Sequence, residues 1–364
     1  MKKLPFKKID AFATNMSDGN PAGYINLENN EALTTEEMLL IAKQLKGFVS
    51  EVGFATRLDK ETINLKYYSS EKEVEFCGHA TIAILYDIIK NDRDLPKKKN
   101  IYIKTNKGSL KVVNRIKEED AVYIYSPKPN FKECSLKVQD LMEALLIKKT
   151  HLDNDYPISL VNAGLDTLMV PIDKLDNLLS INPDIDELKR YCMANHIDII
   201  EVFTKDVYNK NNQYRTRVFA PIFGYLEDPA TGSGNSAFGY YLRKIGKWES
   251  DSLKIEQNSN KENYNLVRLK IVKENDNEER VLFGGPAVVR IEGSYLLTWH
   301  DSRIQNRLDN NDRKLFWLTS LPQDDRRRLN WFRKSVFFNV KPKEAKQVSY
   351  SDSGGFRYYC RYTS

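Results

Sequence analysis

A chain of 364 residues is long enough for two domains of ordinary size and a substantial buried core. With 41% hydrophobic and 29% charged residues it reads as globular rather than disordered, and no apolar run approaches the ~20 residues that a membrane-spanning helix needs. The formal charge of +6 sits at one end: residues 300–364 hold 14 Lys and Arg against 7 Asp and Glu, so residues 1–299 are close to neutral and carry no nucleic-acid footprint.

The chain opens with Met1-Lys2-Lys3-Leu4-Pro5-Phe6-Lys7-Lys8, basic like a secretory leader but with no apolar stretch behind it, so a cytoplasmic protein is expected. Asp10 to Ala13 reads as a strand, Asp18-Gly19-Asn20-Pro21 as a turn and Ala22 to Leu27 as a second strand. Thr34 or Thr35 caps a helix through Met38, Ile41 and Leu45 that Gly47 ends. Strands follow at residues 51–58 and 62–68, then a small-residue loop at 75–81 and a helix from Ile82 to Ile89. Further strands are expected near 101–105, 110–113 and 121–125.

From there the order begins again. A strand pair surrounds Gly164, residues 184–195 are helical, and strands at 199–204 and 215–221 lead to a second small-residue loop, residues 227–236, and a helix from Ala237 to Ile245. Each half runs turn, helix, two strands, small-residue loop and helix, which suggests a duplicated domain with a ligand cleft between the copies. Gly284-Gly285-Pro286 reads as a turn before a closing strand, Ala287 to Ile291. Residues 300–364 show no sustained period. Arg326-Arg327-Arg328 with Trp331 and Phe332 is the one stretch there suited to nucleic acid, and a loosely ordered appendage is the plainer reading.

The two loops hold the candidate chemistry. Glu227-Asp228-Pro229-Ala230-Thr231-Gly232-Ser233-Gly234 puts a carboxylate, hydroxyls and backbone N–H groups at a helix start, where negative charge is favoured. His79 stands at the corresponding place in the first half, beside Gly78, where an imidazole can move protons near neutral pH. Glu51 begins an otherwise apolar strand and Glu201 has a similar setting, Glu201-Val202-Phe203. Position in the repeat does not decide which of the two is a base and which a solvated or structural residue. Cys77 lies in a setting that can lower a thiol pKa, but no cysteine stands in the second loop to complete a two-thiol pair. The four cysteines, Cys77, Cys134, Cys192 and Cys360, are scattered, so reduced thiols are expected and no metal site or disulfide framework. Thr231-Gly232-Ser233-Gly234 matches neither a phosphate loop nor a nucleophile elbow, and nothing requires a cofactor.

Ser50-Glu51, Glu73-Val74-Glu75-Phe76-Cys77-Gly78-His79-Ala80-Thr81, and Arg217-Val218-Phe219-Ala220-Pro221 leading to Glu227 through Ser233 together resemble the PhzF family of phenazine-biosynthesis-like isomerases. Asp10-Ala11-Phe12, Gly19-Asn20-Pro21 and Gly284-Gly285-Pro286 agree, and the likeness runs from about residue 4 to 297. The sequence departs from the usual pattern at Val52, where threonine is common. The resemblance implies an α+β fold of the diaminopimelate epimerase type, with two pseudo-symmetric domains, each a curved antiparallel sheet around a central helix. Residues 1–127 plus 286–299 would form one domain and 128–285 the other, with 300–364 an extension outside both.

By the same resemblance Glu51 is the general base, His79 and Asp228 handle substrate and protons, and Gly78, Thr231, Gly232 and Ser233 bind substrate. The implied enzyme is a cofactor-independent isomerase or epimerase acting on a small carboxylated molecule, without a metal and as a homodimer. The alternative is a small-anion-binding protein with the same cleft and no catalysis.

Overall fold

The computed structural model describes residues 1–27, 32–133, 136–274 and 278–298, together with strands 348–350 and 356–358. The first half runs β1 (Lys2–Ala11), β2 (Asn20–Asn26), α1 (Thr35–Gln44), β3 (Glu51–Arg57), β4 (Thr62–Ser69), β5 (Glu73–Val74), α2 (Gly78–Asn91), β6 (Asn100–Thr105), β7 (Gly108–Asn114), α3 (Ile116–Glu119) and β8 (Val122–Tyr125). The second runs β9 (Asn130–Lys132), α4 (Val138–Leu145), β10 (Ser159–Asn162), β11 (Asp166–Pro171), α5 (Leu175–Ser180), α6 (Ile185–Ala194), β12 (Ile199–Thr204), β13 (Tyr214–Phe219), β14 (Glu227–Asp228), α7 (Gly232–Lys244), β15 (Ser252–Gln257), β16 (Asn265–Lys273) and β17 (Glu279–Gly285). After it, β18 (Ala287–Leu297) returns to pair with β1.

The pairing repeats in the two halves. In the first, β2 and β3 are parallel, β3 and β4 antiparallel, β4 and β6 parallel, and β6, β7 and β8 antiparallel in turn. The second gives the same series with β11, β12, β13, β15, β16 and β17. The expected curved antiparallel sheets are present, with four neighbouring pairs parallel among them. Their cause is the helices, because α1, α2, the α5–α6 pair and α7 each carry the chain across to a strand that starts from the same end. β8 pairs with β17, so one mixed, curved sheet passes through both halves of an α+β fold.

Packing explains which helices lie inside. α2 buries Ile82, Ile84, Leu85 and Ile89, and α7 buries Phe238, Tyr241 and Leu242, in one core that extends through both halves. Burying each such side chain is worth roughly 1.5–3 kcal/mol. α1 packs on the outside of β1–β4 through Met38, Leu40 and Ile41, and α4 and α6 cover β10–β12 through Leu141, Leu145, Leu188 and Cys192. Thr34 caps α1 in a full capping box with Glu37, settling the choice between Thr34 and Thr35.

Gly284 and Gly285 belong to β17 and do not form the expected turn. A side chain on Gly284 would collide with the Val122 carbonyl and the Tyr123 ring, so the seam between β8 and β17 demands glycine there. Both α2 and α7 also begin earlier than expected, at Gly78 and Gly232. Among the described residues no helix is long and apolar enough to cross a membrane. Most of the basic extension, including Arg326 to Phe332, lies outside the described residues, as do Cys134 and Cys360. Two strands within it, β19 (Val348–Tyr350) and β20 (Phe356–Tyr358), pair antiparallel with each other.

Candidate active site

Two helix starts face a common ring. Gly78 and Gly232 are the first residues of α2 and α7, and both lie against Phe283 of β17. A Cβ on Gly78 would come within 3.1 Å of the phenyl ring, and one on Gly232 closer still. Glycine is needed at Gly232 and fits most easily at Gly78, and the shared ring brings the two N-termini to the same spot.

The ends of α2 and α7 are bare. Cys77 and Thr231 hold the N-cap positions and neither side chain caps its helix; neither first turn contains an acidic residue. On the outer helices α1 and α6 the opposite holds, with capping by Thr34 and Asp184 and acidic first turns of Glu36 with Glu37 and Asp186 with Glu187. At α2 the N–H groups of His79 and Ala80 turn toward the Cys77 sulfur, and neither α2 nor α7 places a carboxylate or a capping oxygen of its own there, a setting that favours an anion.

Titratable groups gather at these ends. Glu51, at the start of β3, places Oε2 3.3 Å from Nε2 of His79 in the first turn of α2. That carboxylate oxygen is buried and accepts no hydrogen bond from another group. Cys77 Sγ lies 3.5 Å from His79 Nδ1. Asp228, from β14, accepts from the Asn20 amide at 2.9 Å and from the Thr231 hydroxyl. The Gln257 amide donates to the Asp228 carbonyl at 2.9 Å, and its oxygen accepts the Thr231 N–H at 2.9 Å. Thr231 is therefore tied into the support of Asp228. Ser233 is half-buried in the first turn of α7.

Burial sets the charge states. It raises the Glu51 carboxyl to about 7. Asp228 is raised to about 6, again chiefly by burial, with the Thr231 hydroxyl and His79 pulling the other way. The His79 ring is lowered by burial, against the attraction of Asp228. Burial pushes the Cys77 thiol well up, and the Glu51 charge adds to it. The site therefore holds two carboxyls that titrate close to neutrality beside an imidazole that favours its neutral form.

Asn20, Gln257, Phe283 and Tyr225 also belong to this place, and sequence reasoning did not assign them a role. Tyr225 precedes Asp228 by three residues, and its hydroxyl is held protonated by burial and by the Asp228 and Glu51 charges. An aromatic residue three places before Asp228 was the one available signal. Gln257 gave none, because its importance comes entirely from where β15 ends. Glu201 does not join the site. It is fully buried, both its oxygens are without partners, and Oε2 lies 2.7 Å from where a Cβ on Gly234 would stand. Its strand row, Glu201–Val218–Asp228, corresponds to Gly53–Tyr67–Val74 in the first half, two positions along from Glu51.

No Cys/His motif stands out along the chain, but the fold assembles a small cluster of donor atoms. Glu51, Cys77 and His79 bring three donor atoms within 4.8 Å of one another. Spacing along the chain hides the group because the glutamate arrives from another strand.

Two curved half-sheets, each around a helix that starts beside a shared cluster of titratable groups, belong here to an isomerase, the name that the relatives of the chain carry. It is 29% identical over 313 residues to an uncharacterized isomerase of Clostridium acetobutylicum, covering 84% of this chain and all of that one. With YfhB, an uncharacterized isomerase of Bacillus subtilis, it shares 29% identity over 261 residues, 71% of this chain and 87% of the other. The crystal structure of a PhzF-family phenazine biosynthesis protein from Bacillus anthracis superposes with a TM-score of 0.71 at 25% identity, covering 82% of this chain and 100% of its counterpart. The chain belongs to the PhzC-PhzF family of phenazine biosynthesis-like proteins, whose pattern it matches over residues 9–293.

Proposed function

We propose that this isomerase moves a proton on a small carboxylated substrate without a metal or organic cofactor, and that Glu51 is the general base. The observation that carries the reading is the pair of bare helix N-termini meeting at Phe283 beside Glu51, His79 and Asp228. A substrate carboxylate set against these N–H groups is stabilised most when proton removal from the adjacent carbon adds negative charge to it. Glu51, with a buried and unpartnered oxygen, takes the proton from carbon and returns it to another atom or to the opposite face. His79, as neutral imidazole, and Ser233 orient the substrate through hydrogen bonds. Asp228, held by Asn20 and Thr231, binds an amine or hydroxyl or shares the proton with the base. Gly78 and Gly232 let the substrate approach the backbone. A homodimer and a cytoplasmic location remain part of the proposal; light scattering on the purified chain tests the first.

The test uses the full chain and a metabolite extract in deuterated water, with mass spectrometry to find the compound that gains deuterium. The unmodified protein is expected to label one small carboxylate, and Glu51→Gln to leave it unlabelled while still folding. Labelling that survives Glu51→Gln overturns the base assignment. If no compound is labelled by either protein, the anion-binding alternative stands.

A further inference from the structure

We infer that Glu51, Cys77 and His79 form a binding site for a zinc-class divalent cation, whose occupation blocks the cleft. The inference concerns metal binding and does not depend on proton transfer being the activity of the site.

Geometry carries it. Two donors come from one rigid element: Cys77 is the N-cap of α2 and His79 the second residue of that helix. The third comes from the first residue of β3. Tetrahedral zinc bound at about 2.0–2.3 Å sets its donors about 3.3–3.6 Å apart. Glu51 Oε2 and His79 Nε2 are 3.3 Å apart, and Cys77 Sγ is 3.9 Å from the same nitrogen. The remaining pair, the Glu51 carboxylate and Cys77 Sγ, lies within 4.8 Å, so a rotation that brings the sulfur in by about an ångström completes a three-ligand face, with a fourth position left for water or an anion. The buried Glu51 Oε2 has no hydrogen bond to give up.

Donor chemistry selects the ion. Magnesium and calcium require oxygen ligands, whereas a mixed thiolate, imidazole and carboxylate set suits zinc. Charge favours it as well: Asp228 adds a second carboxylate to the electrostatic surroundings of His79, and among the described residues no Lys or Arg lies within ion-pair distance of Glu51, whose neighbour there is the neutral His79 ring. Among the described residues this is the one such group of three His, Cys, Asp or Glu donors. On binding, Cys77 enters as thiolate and releases its proton to solvent, while His79 binds as neutral imidazole. The ion then occupies the lone pairs of Glu51 and His79 that a substrate would meet.

Zinc titration of the full chain by calorimetry, with cobalt(II) as a spectroscopic probe, tests this. The expected result is one ion per chain and a near-ultraviolet thiolate-to-cobalt charge-transfer band. Cys77→Ser should abolish the band and weaken zinc by more than the roughly 10–100-fold that loss of an outer-sphere partner costs. His79→Asn should weaken it comparably. Cys134→Ser with Cys360→Ser should change neither the stoichiometry nor the band. Absence of one-to-one binding by the unmodified chain overturns the inference, and so does binding that survives both Cys77→Ser and His79→Asn. Should Cys77→Ser fail to fold, absence of the charge-transfer band in the unmodified protein is decisive by itself. Because deuterium uptake reads proton transfer and the titration reads metal binding, either proposal can fail while the other stands.

Discussion

Glu51 and Glu201 lie on β3 and β12, strands with the same place in the two halves, and burial raises both carboxyls. Glu51 is the first residue of its strand, keeps 22% of its side chain exposed and faces His79. Glu201 is two rows further in, completely enclosed beneath the first turn of α7, with neither oxygen hydrogen-bonded. A nearby residue makes the contrast plainer: Glu256 is equally buried but bonded to Arg215, Asn212 and two backbone N–H groups. The lesson is that depth alone does not make a base. A raised carboxyl is useful where a substrate can reach it, and is a cost to stability where nothing can.

The sharpest way to break this comparison is to remove each carboxylate in turn. Glu51→Gln should lower deuterium exchange by about 10²–10⁴-fold, the usual contribution of a positioned general base, whereas Glu201→Gln should leave exchange unchanged. Equal losses in the two variants, measured by mass spectrometry, would mean that access does not separate them. Next in size is Gly234→Ala. Its Cβ would stand 2.7 Å from Glu201 Oε2, so overpacking should cost about 1–3 kcal/mol in urea unfolding. The cost should shrink when Glu201→Ala is combined with it.

Replacing the lone buried acid with a hydrocarbon of similar shape, Glu201→Met, should stabilise the fold by roughly 1–3 kcal/mol, since it removes unsatisfied polar atoms. The pH dependence has a definite sign. A carboxyl whose folded value is raised binds its proton more tightly in the native state. Its contribution is full below the unfolded value near 4.5 and is lost as pH rises toward the folded value, by up to about 1.4 kcal/mol per unit. Glu201→Gln should remove that part of the decline, which denaturation between pH 5 and 8 would reveal; an unaltered slope would contradict the assignment. The smallest effect is expected on an outer helix: Thr34→Ala removes the cap of α1 and should cost about 1 kcal/mol, with deuterium exchange unchanged.

Much of this was legible beforehand. The duplicated order and the two small-residue loops could be read from the chain, and the family resemblance pointed to Glu51, His79 and Asp228, which the fold brings near one another. The starts of α2 and α7 could not. Gly78, Gly232 and Gly234 are poor helix formers, and local preference places them in loops; what makes them helical is packing against Phe283 and the Glu201 carboxyl, residues remote in sequence. Gly284 misled in the same way, because a close approach between strands and a turn use the same residue. Asn20 and Gln257 matter through hydrogen bonds to a loop more than 200 and about 30 residues away, respectively, and periodicity carries no trace of that.

Lys2 pairs opposite Leu297, so β1 has one edge filled by its neighbour β2 and the other by β18, the strand of the same sheet furthest from it along the chain. During translation β1 can join β2 at once, but its other edge stays open until the strand that closes it has left the ribosome. A contact of that span makes folding slow and exposes an unsatisfied strand edge to neighbouring nascent chains. The same adjacency places the two ends of the compact unit side by side, so its chain could be joined there and opened at an exposed loop elsewhere without undoing a single strand pair.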